Sequence, residues 1–253
     1  MQHPWPYPRW IAHRGAGKLA PENTLAAFRL GHQFGWRMYE CDVKLSADGV
    51  PFLLHDATLT RTTNAATALP AGASPTAGDH PFATLAQLDA GSWHSAAYAG
   101  EPLPTLANIA RYCQAAGALV NLEIKPTPGQ EALTGHTVAT QAALLWQGHT
   151  PPLLSSFEPT ALTSAQAAAP ALPRGLLIDT WRSTALQEAQ ALGCVALICK
   201  HTLWTSELVA HAQALGLRTL SYTANTEQDA QRLVALGTDG IISDSVDKLG
   251  PEG

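Results

Sequence analysis

The chain has 253 residues, 46% hydrophobic and 14% charged, which is enough apolar material for the core of one large α/β barrel or two smaller domains. Fifteen Lys and Arg against twenty Asp and Glu leave a net charge of −5, which argues against general nucleic-acid binding and against docking on anionic lipid. The composition also excludes low-complexity disorder as the overall state, while a small anionic substrate stays open because a local cation can outweigh the global field.

The N-terminal stretch Met1–Arg9 has early prolines and no apolar core of the kind a secretion signal needs. No apolar run reaches the ~18 residues of a membrane span. Cys41, Cys113, Cys194 and Cys199 form no Cys-x-x-Cys pair, so they are expected to be reduced packing residues. Together these features point to a cytoplasmic protein with no membrane partner.

Arg9–His13 reads as a short buried strand. Pro21-Glu22-Asn23-Thr24 opens a helix through about Gly35, with Asn or Thr available as the cap. Met38–Leu45 is the next strand, and Asp48-Gly49 turns the chain into Val50–Leu54, which ends at His55-Asp56. From about residue 59 to 104 periodicity is lost. This stretch reads as an insertion within a single domain spanning 1–253, with Phe82, Trp93 and Tyr98 to pack it. A regular alternation follows. Helices are predicted over 106–116, 131–146, 159–168, 184–191, 206–215 and 227–236, and strands over 119–124, 153–157, 175–179, 195–200, 218–223 and 240–243. Gly117, Gly193, Gly216 and Gly237 supply left-handed helix terminators. With the short Phe52–Leu54 piece set aside, about eight strands alternate with helices, which at this length predicts a closed (β/α)₈ TIM barrel.

Working residues of such a barrel sit at the C-terminal ends of the strands. Those ends carry His13-Arg14, Glu40 and Asp42, Glu123 and Lys125, Asp179, Lys200, and Tyr222-Thr223. Residues two apart on a strand share a face, so Glu40 and Asp42 point the same way, and Glu123 and Lys125 repeat the arrangement. Three carboxylates aimed into one barrel mouth repel unless a cation sits among them, and an all-oxygen set suits Mg²⁺ or Ca²⁺ (or Mn²⁺). Cys41, between the two acids, points to the helix layer. Asp56 either orients His55 or caps a turn. Trp93 either packs the insertion down or touches substrate. Gly15 and Gly17 make only a short Gly-x-Gly, a weak phosphate-loop signal. The remaining histidines, His3, His32, His80, His94, His136, His149, His201 and His211, follow no ligand spacing.

Ala12-His13-Arg14-Gly15, Pro21-Glu22-Asn23-Thr24, Glu40-Cys41-Asp42, Asp48-Gly49, His55-Asp56 and Leu59-Thr60-Arg61-Thr62-Thr63 together closely resemble the glycerophosphodiester phosphodiesterases. The likeness continues through Leu85–Trp93, Ala99–Leu106, Asn121–Lys125, Ser155–Phe157 and Gly240–Asp244, so it covers nearly the whole chain. Tyr222-Thr223-Ala224-Asn225 departs from the family's usual Trp-Thr-x-Asn; tyrosine keeps an aromatic wall but adds a hydroxyl, which bears on the shape and polarity of the leaving-group pocket.

The resemblance implies hydrolysis of glycerophosphodiesters to glycerol 3-phosphate and an alcohol. It implies a divalent cation on Glu40, Asp42 and Glu123, His13 and His55 as the acid–base pair, Arg14 and Lys125 on the phosphate, and Phe157 and Tyr222 in the substrate pocket. The chemistry agrees: imidazole titrates near neutrality, and Arg and Lys offer a fork and a movable charge for phosphate. The residues do not say which histidine is the acid. Nor do they decide whether water attacks directly or the neighbouring glycerol hydroxyl attacks first through a cyclic phosphate. Two other readings fit a barrel of this kind, a related phospholipase D- or C-like phosphodiesterase and a non-catalytic glycerophosphodiester-binding protein.

Overall fold

The computed structural model describes residues 5–250; Met1–Pro4, including His3, and the last three residues lie outside the described residues. The strands are β1 (Trp10–Ala12), β2 (Met38–Leu45), β3 (Pro51–Leu53), β4 (Leu119–Ile124), β5 (Leu153–Ser156), β6 (Arg174–Ile178), β7 (Ala196–Lys200), β8 (Arg218–Tyr222) and β9 (Gly240–Ser243). The helices are α1 (Leu25–Gln33), α2 (Ala65–Ala68), α3 (Phe82–Leu85), α4 (Leu106–Ala116), α5 (Glu131–Leu145), α6 (Pro159–Ala168), α7 (Ala185–Ala191), α8 (Ser206–Ala214) and α9 (Glu227–Ala235).

Eight parallel strands run β1-β9-β8-β7-β6-β5-β4-β2, and the pairing of Ala12 with Tyr39 closes the ring. This is the TIM barrel that the alternation predicts. β3 pairs antiparallel with β2, Val43 facing Leu53, and stands outside the ring. Strict alternation along each strand sorts the side chains into two layers. Ile11, Met38, Leu153, Leu177, Ile198, Leu220 and Ile242 fill the barrel interior. Cys41, Val43, Leu122, Ile124 and Leu154 face the helices. Cys41 therefore packs outward, and all four cysteines are free and buried.

Helix ends follow local chemistry. Thr24 Oγ1 accepts from the Ala27 amide, and Thr105 with Asn108 forms a reciprocal capping box on α4. Gly117, Gly193, Gly216 and Gly237 all have positive φ just beyond their helices. The first helix starts later than Pro21 suggests. Pro21–Asn23 form a loop, because the Asn23 amide exchanges two hydrogen bonds with Asp42 (Nδ2 to Oδ2 2.8 Å, Asp42 N to Oδ1 3.0 Å) and sits at φ 60°.

Between β3 and α4 the chain makes short helical turns around their own small core, in which Phe52, Leu59, Leu85, Leu88 and Leu103 are buried. Aliphatic residues do most of this packing: Phe82 only flanks the cluster, Tyr98 leans on the main core, and Trp93 is 38% exposed. No helix among the described residues is long and apolar enough to cross a membrane.

Helices α5 and α6 cross closely at Gly135, where an added Cβ would stand 2.1 Å from the Ala161 carbonyl oxygen. Backbone cannot yield cheaply at such a contact. Gly135→Ala is expected to lose about 1–3 kcal/mol of stability in urea denaturation. A loss below about 0.5 kcal/mol would contradict this packing.

Candidate active site

At the C-terminal end of the barrel, β2 presents Glu40 and Asp42, and β4 presents Glu123 directly beside Asp42 in register. One carboxylate oxygen from each of the three lies within 4.8 Å of the others, and all three residues are buried. Burial raises Glu40 well above the ordinary carboxyl range, and Asp42 and Glu123 add to it by repulsion. Glu123 is likewise pushed up to about 7, by burial first and Asp42 second. Burial would raise Asp42 too, but Arg14 and Lys125 outweigh it and hold that carboxyl below its ordinary value. Glu40 Oε1 is buried and makes no hydrogen bond among the described residues. An all-oxygen donor set with an unpartnered carboxylate oxygen fits a hard divalent cation.

The predicted phosphate ligands lie against this cluster. Lys125 Nζ donates to Glu123 Oε1 at 2.8 Å and stands 3.8 Å from Asp42 Oδ1. Arg14 has φ 51°, an unusual conformation for a non-glycine residue. There its backbone amide donates to Glu40 Oε2 at 3.1 Å, while its Nε lies 3.4 Å from Asp42 Oδ2. Gly15 and Gly17 allow close packing of this loop. A Cβ on Gly15 would meet Ala27, and one on Gly17 would stand 2.0 Å from the Asp244 carbonyl oxygen.

Each candidate histidine is tied at Nδ1 to a carboxylate. His13 Nδ1 is 2.6 Å from Asp244 Oδ1, and its Nε2 faces Glu40 Oε2 at 3.7 Å. His55 Nδ1 is 2.7 Å from Asp56 Oδ1, so Asp56 orients this ring. With an ionised acceptor at Nδ1, the proton of a neutral imidazole rests there and Nε2 is free for chemistry. Burial favours the neutral acid at Asp244, yet hydrogen bonds from His13 and Asn225 outweigh this and keep it ionised. His55 sits below its ordinary range, through burial and then the charges of Arg14 and Lys125.

Several of these partners escaped the strand-end reading. Asp244 follows directly on β9 and is held by Asn225, whose Nδ2 donates at 2.9 Å and whose Oδ1 accepts from the Asp244 amide at 2.8 Å. Glu22 bridges two arginines, accepting from Arg14 Nη1 at 2.9 Å and from both Arg61 Nη atoms at 2.8 Å. Arg61 also donates from Nε to Asp56 Oδ2 at 2.7 Å. Asp244 was available to the strand-end argument itself, and Glu22 and Arg61 lie in motifs that carried the resemblance. Asp179 and Lys200, two other strand-end candidates, are exposed and do not line the cavity.

Two cavities meet across His13 and Arg14. The inner one, about 200 Å³, contains Glu40, His55, Asn121, Glu123 and Lys125 opposite an apolar wall of Phe157, Leu177, Tyr222 and Ile242. Phe157 and Tyr222 form an edge-to-face pair at 5.7 Å, and the Tyr222 hydroxyl donates to the Ile178 carbonyl at 3.0 Å. The outer cavity, about 370 Å³, is bordered by Lys18, Glu22, Arg61, Trp93, His94 and Asp244. Trp93 thus stands at its rim. A third cavity, about 330 Å³, opens at the N-terminal end of the barrel around Trp5, Tyr7 and Arg174, with no acid in its lining.

The sequence profile of the glycerophosphoryl diester phosphodiesterase family matches residues 13–248. A glycerophosphodiester phosphodiesterase of Caldanaerobacter subterraneus is 31% identical over 94% of this chain and 95% of its own length. An Oleispira antarctica phosphodiesterase, solved with the product sn-glycerol-3-phosphate, is 35% identical with a TM-score of 0.85, covering 95% of this chain and 94% of that one. An Agrobacterium tumefaciens glycerophosphodiester phosphodiesterase, 24% identical with a TM-score of 0.76 over 95% of this chain and 98% of that one, shares the fold.

Protons and a cation compete for the same oxygens. Since Glu40 and Glu123 are raised, and Glu123 titrates near about 7, the apparent affinity for Mn²⁺ is expected to rise as pH goes from 5.5 to 8. Calorimetric titrations at the two pH values check this, and a pH-independent affinity would contradict the carboxylate site.

Proposed function

Because the chain belongs to the glycerophosphodiester phosphodiesterase family, we propose that it hydrolyses glycerophosphodiesters to glycerol 3-phosphate and an alcohol, using the site at the barrel mouth. The observation that carries this reading is the meeting of three carboxylates, two cations and two carboxylate-tethered histidines at the C-terminal end of the barrel. Glu40, Asp42 and Glu123 hold one divalent cation, of which Mg²⁺, Ca²⁺ and Mn²⁺ suit the oxygen donors. When bound, that ion offsets negative charge on the non-bridging phosphate oxygens.

Arg14 and Lys125 bind those oxygens from the protein side. Both already lean on the acids, so their charges are fixed in place before substrate arrives. His55, lowered by burial, is the neutral partner that takes a proton from the attacking oxygen at Nε2. His13, held at Nδ1 by Asp244 with Nε2 turned toward Glu40, is the partner that donates to the departing alkoxide. Asp56 and Asp244 hold the two rings in the required tautomer, and Arg61 fixes Asp56. Phe157 and Tyr222 wall the pocket on its apolar side. A cytoplasmic setting suits the four free, buried cysteines.

Turnover of glycerophosphocholine is expected to vanish in EDTA and to return with Mg²⁺, Ca²⁺ or Mn²⁺; full activity in thoroughly metal-stripped protein would remove the cation from the account. His13→Ala and His55→Ala are each expected to lower kcat by about 10²-fold or more with the circular dichroism spectrum unchanged. Unaltered kinetics in either variant would strike that histidine from the acid–base pair. Arg14→Ala is expected to raise KM as well as lower kcat, because phosphate is held in ground and transition states alike.

A further inference from the structure

Asn121 has no role in the steps above, yet it is the least satisfied side chain of the inner cavity. It lies on the inward face of β4, two residues before Glu123 and beside Glu40 in register. It is 1% exposed, and neither its Nδ2 nor its Oδ1 has a hydrogen-bond partner among the described residues. In register it stands between Glu40 on β2 and Leu153 on β5, and Leu177 and Ile242 line the same cavity. A buried amide without partners is costly, and hydrophobic residues of similar volume are the better choice for stability alone. Asparagine at this position therefore answers to something other than packing.

The kind of partner follows from the two atoms. A cation beside Glu40 would engage Oδ1 only and leave the Nδ2 protons buried and unpaired. A hydroxyl both donates and accepts, and two adjacent hydroxyls can satisfy both ends of one amide. Asn121 also lies deeper in the barrel than Glu123, beneath the position where Lys125 and Arg14 would hold phosphate. We propose that Asn121 is a specificity-determining residue whose side-chain amide binds the hydroxyls of the glycerol arm, pointed down into the inner cavity. The aliphatic edge of that arm then rests on Phe157, Leu177, Tyr222 and Ile242, and the alcohol arm leaves through the outer cavity past His13 and Arg14. A substrate arm lacking hydroxyls leaves the amide unpaired and is rejected for that reason. The inference rests on the glycerophosphodiester reading.

The test compares calorimetric binding of glycerol 3-phosphate and of propyl phosphate, which lacks both hydroxyls, to the Mn²⁺-loaded protein. Wild-type protein is expected to prefer glycerol 3-phosphate by about tenfold or more. In Asn121→Leu the preference is expected to fall below about threefold while propyl phosphate still binds. The same variant is expected to bind Mn²⁺ as wild type does, by electron paramagnetic titration, and its ligand-free Tm should hold or rise because an unpaired buried amide is removed. Asn121→Ser, smaller and still polar, guards against a misfolded leucine variant and should retain part of the preference. A full preference in Asn121→Leu would overturn the inference and leave the glycerophosphodiester reading standing. A parallel loss of Mn²⁺ affinity would overturn it by making Asn121 a cation ligand. Equal affinity of wild-type protein for the two phosphates would overturn both the inference and the glycerol arm of the reading.

Discussion

Three carboxylates gathered within 4.8 Å of one another, out of water, are the constraint on which the rest of the site depends. At an effective dielectric of about 20, each ionised pair at that spacing repels by roughly 3 kcal/mol or more. The barrel places the acids there regardless, because β2 and β4 are neighbours and their register sets Asp42 beside Glu123. What surrounds the cluster is compensation. Arg14 and Lys125 supply positive charge, the Asn23 amide binds Asp42, and the Arg14 backbone amide binds Glu40. The unusual φ of Arg14 belongs to the same arrangement, since it turns an amide toward a buried acid. Compensation is incomplete: Glu40 and Glu123 remain raised, and a cation is the group that would lower them.

The two histidines share a plan but not a setting. Each donates Nδ1 to a carboxylate and frees Nε2, yet His13 faces a second acid, whereas Asp56 below His55 is also bound by Arg61. Asp56 is bonded to a guanidinium, whereas Asp244 is held by the Asn225 amide. This asymmetry distinguishes the surroundings of the two rings. It also gives the segment between β3 and α4 a purpose, because Arg61 from that segment links Asp56 to Glu22 and through it to Arg14.

Much of this was legible in the sequence because it is local. Apolar runs bounded by glycine marked the strands and helix ends, and period-two spacing put Glu40 with Asp42 and Glu123 with Lys125 on common faces. Pro21-Glu22-Asn23-Thr24 looked like a helix start because proline and Asx residues serve that end, but the Asn23 side chain is engaged by Asp42 and delays the helix to Leu25. The segment from 59 to 104 gave no period because its small core draws on irregularly spaced leucines. The pairs Asn225–Asp244 and Glu22–Arg61, 19 and 39 residues apart, are made by barrel closure and loop packing. No local pattern encodes such contacts. Asn121 was visible as part of a motif, but only the interior shows that its amide has nothing to bond.

Release of glycerol 3-phosphate and an alcohol requires that the bond broken is the one between phosphorus and the alcohol oxygen. In the proposed orientation the departing alkoxide faces the outer cavity and the glycerol arm occupies the inner one. Phosphorus-31 NMR of purified, metal-replete protein acting on glycerophosphocholine reads that choice directly. The predicted result is a single new resonance of glycerol 3-phosphate, with choline released in equal amount. A resonance of phosphocholine with release of glycerol would mean that the arms lie the other way round, and would contradict the account at its centre.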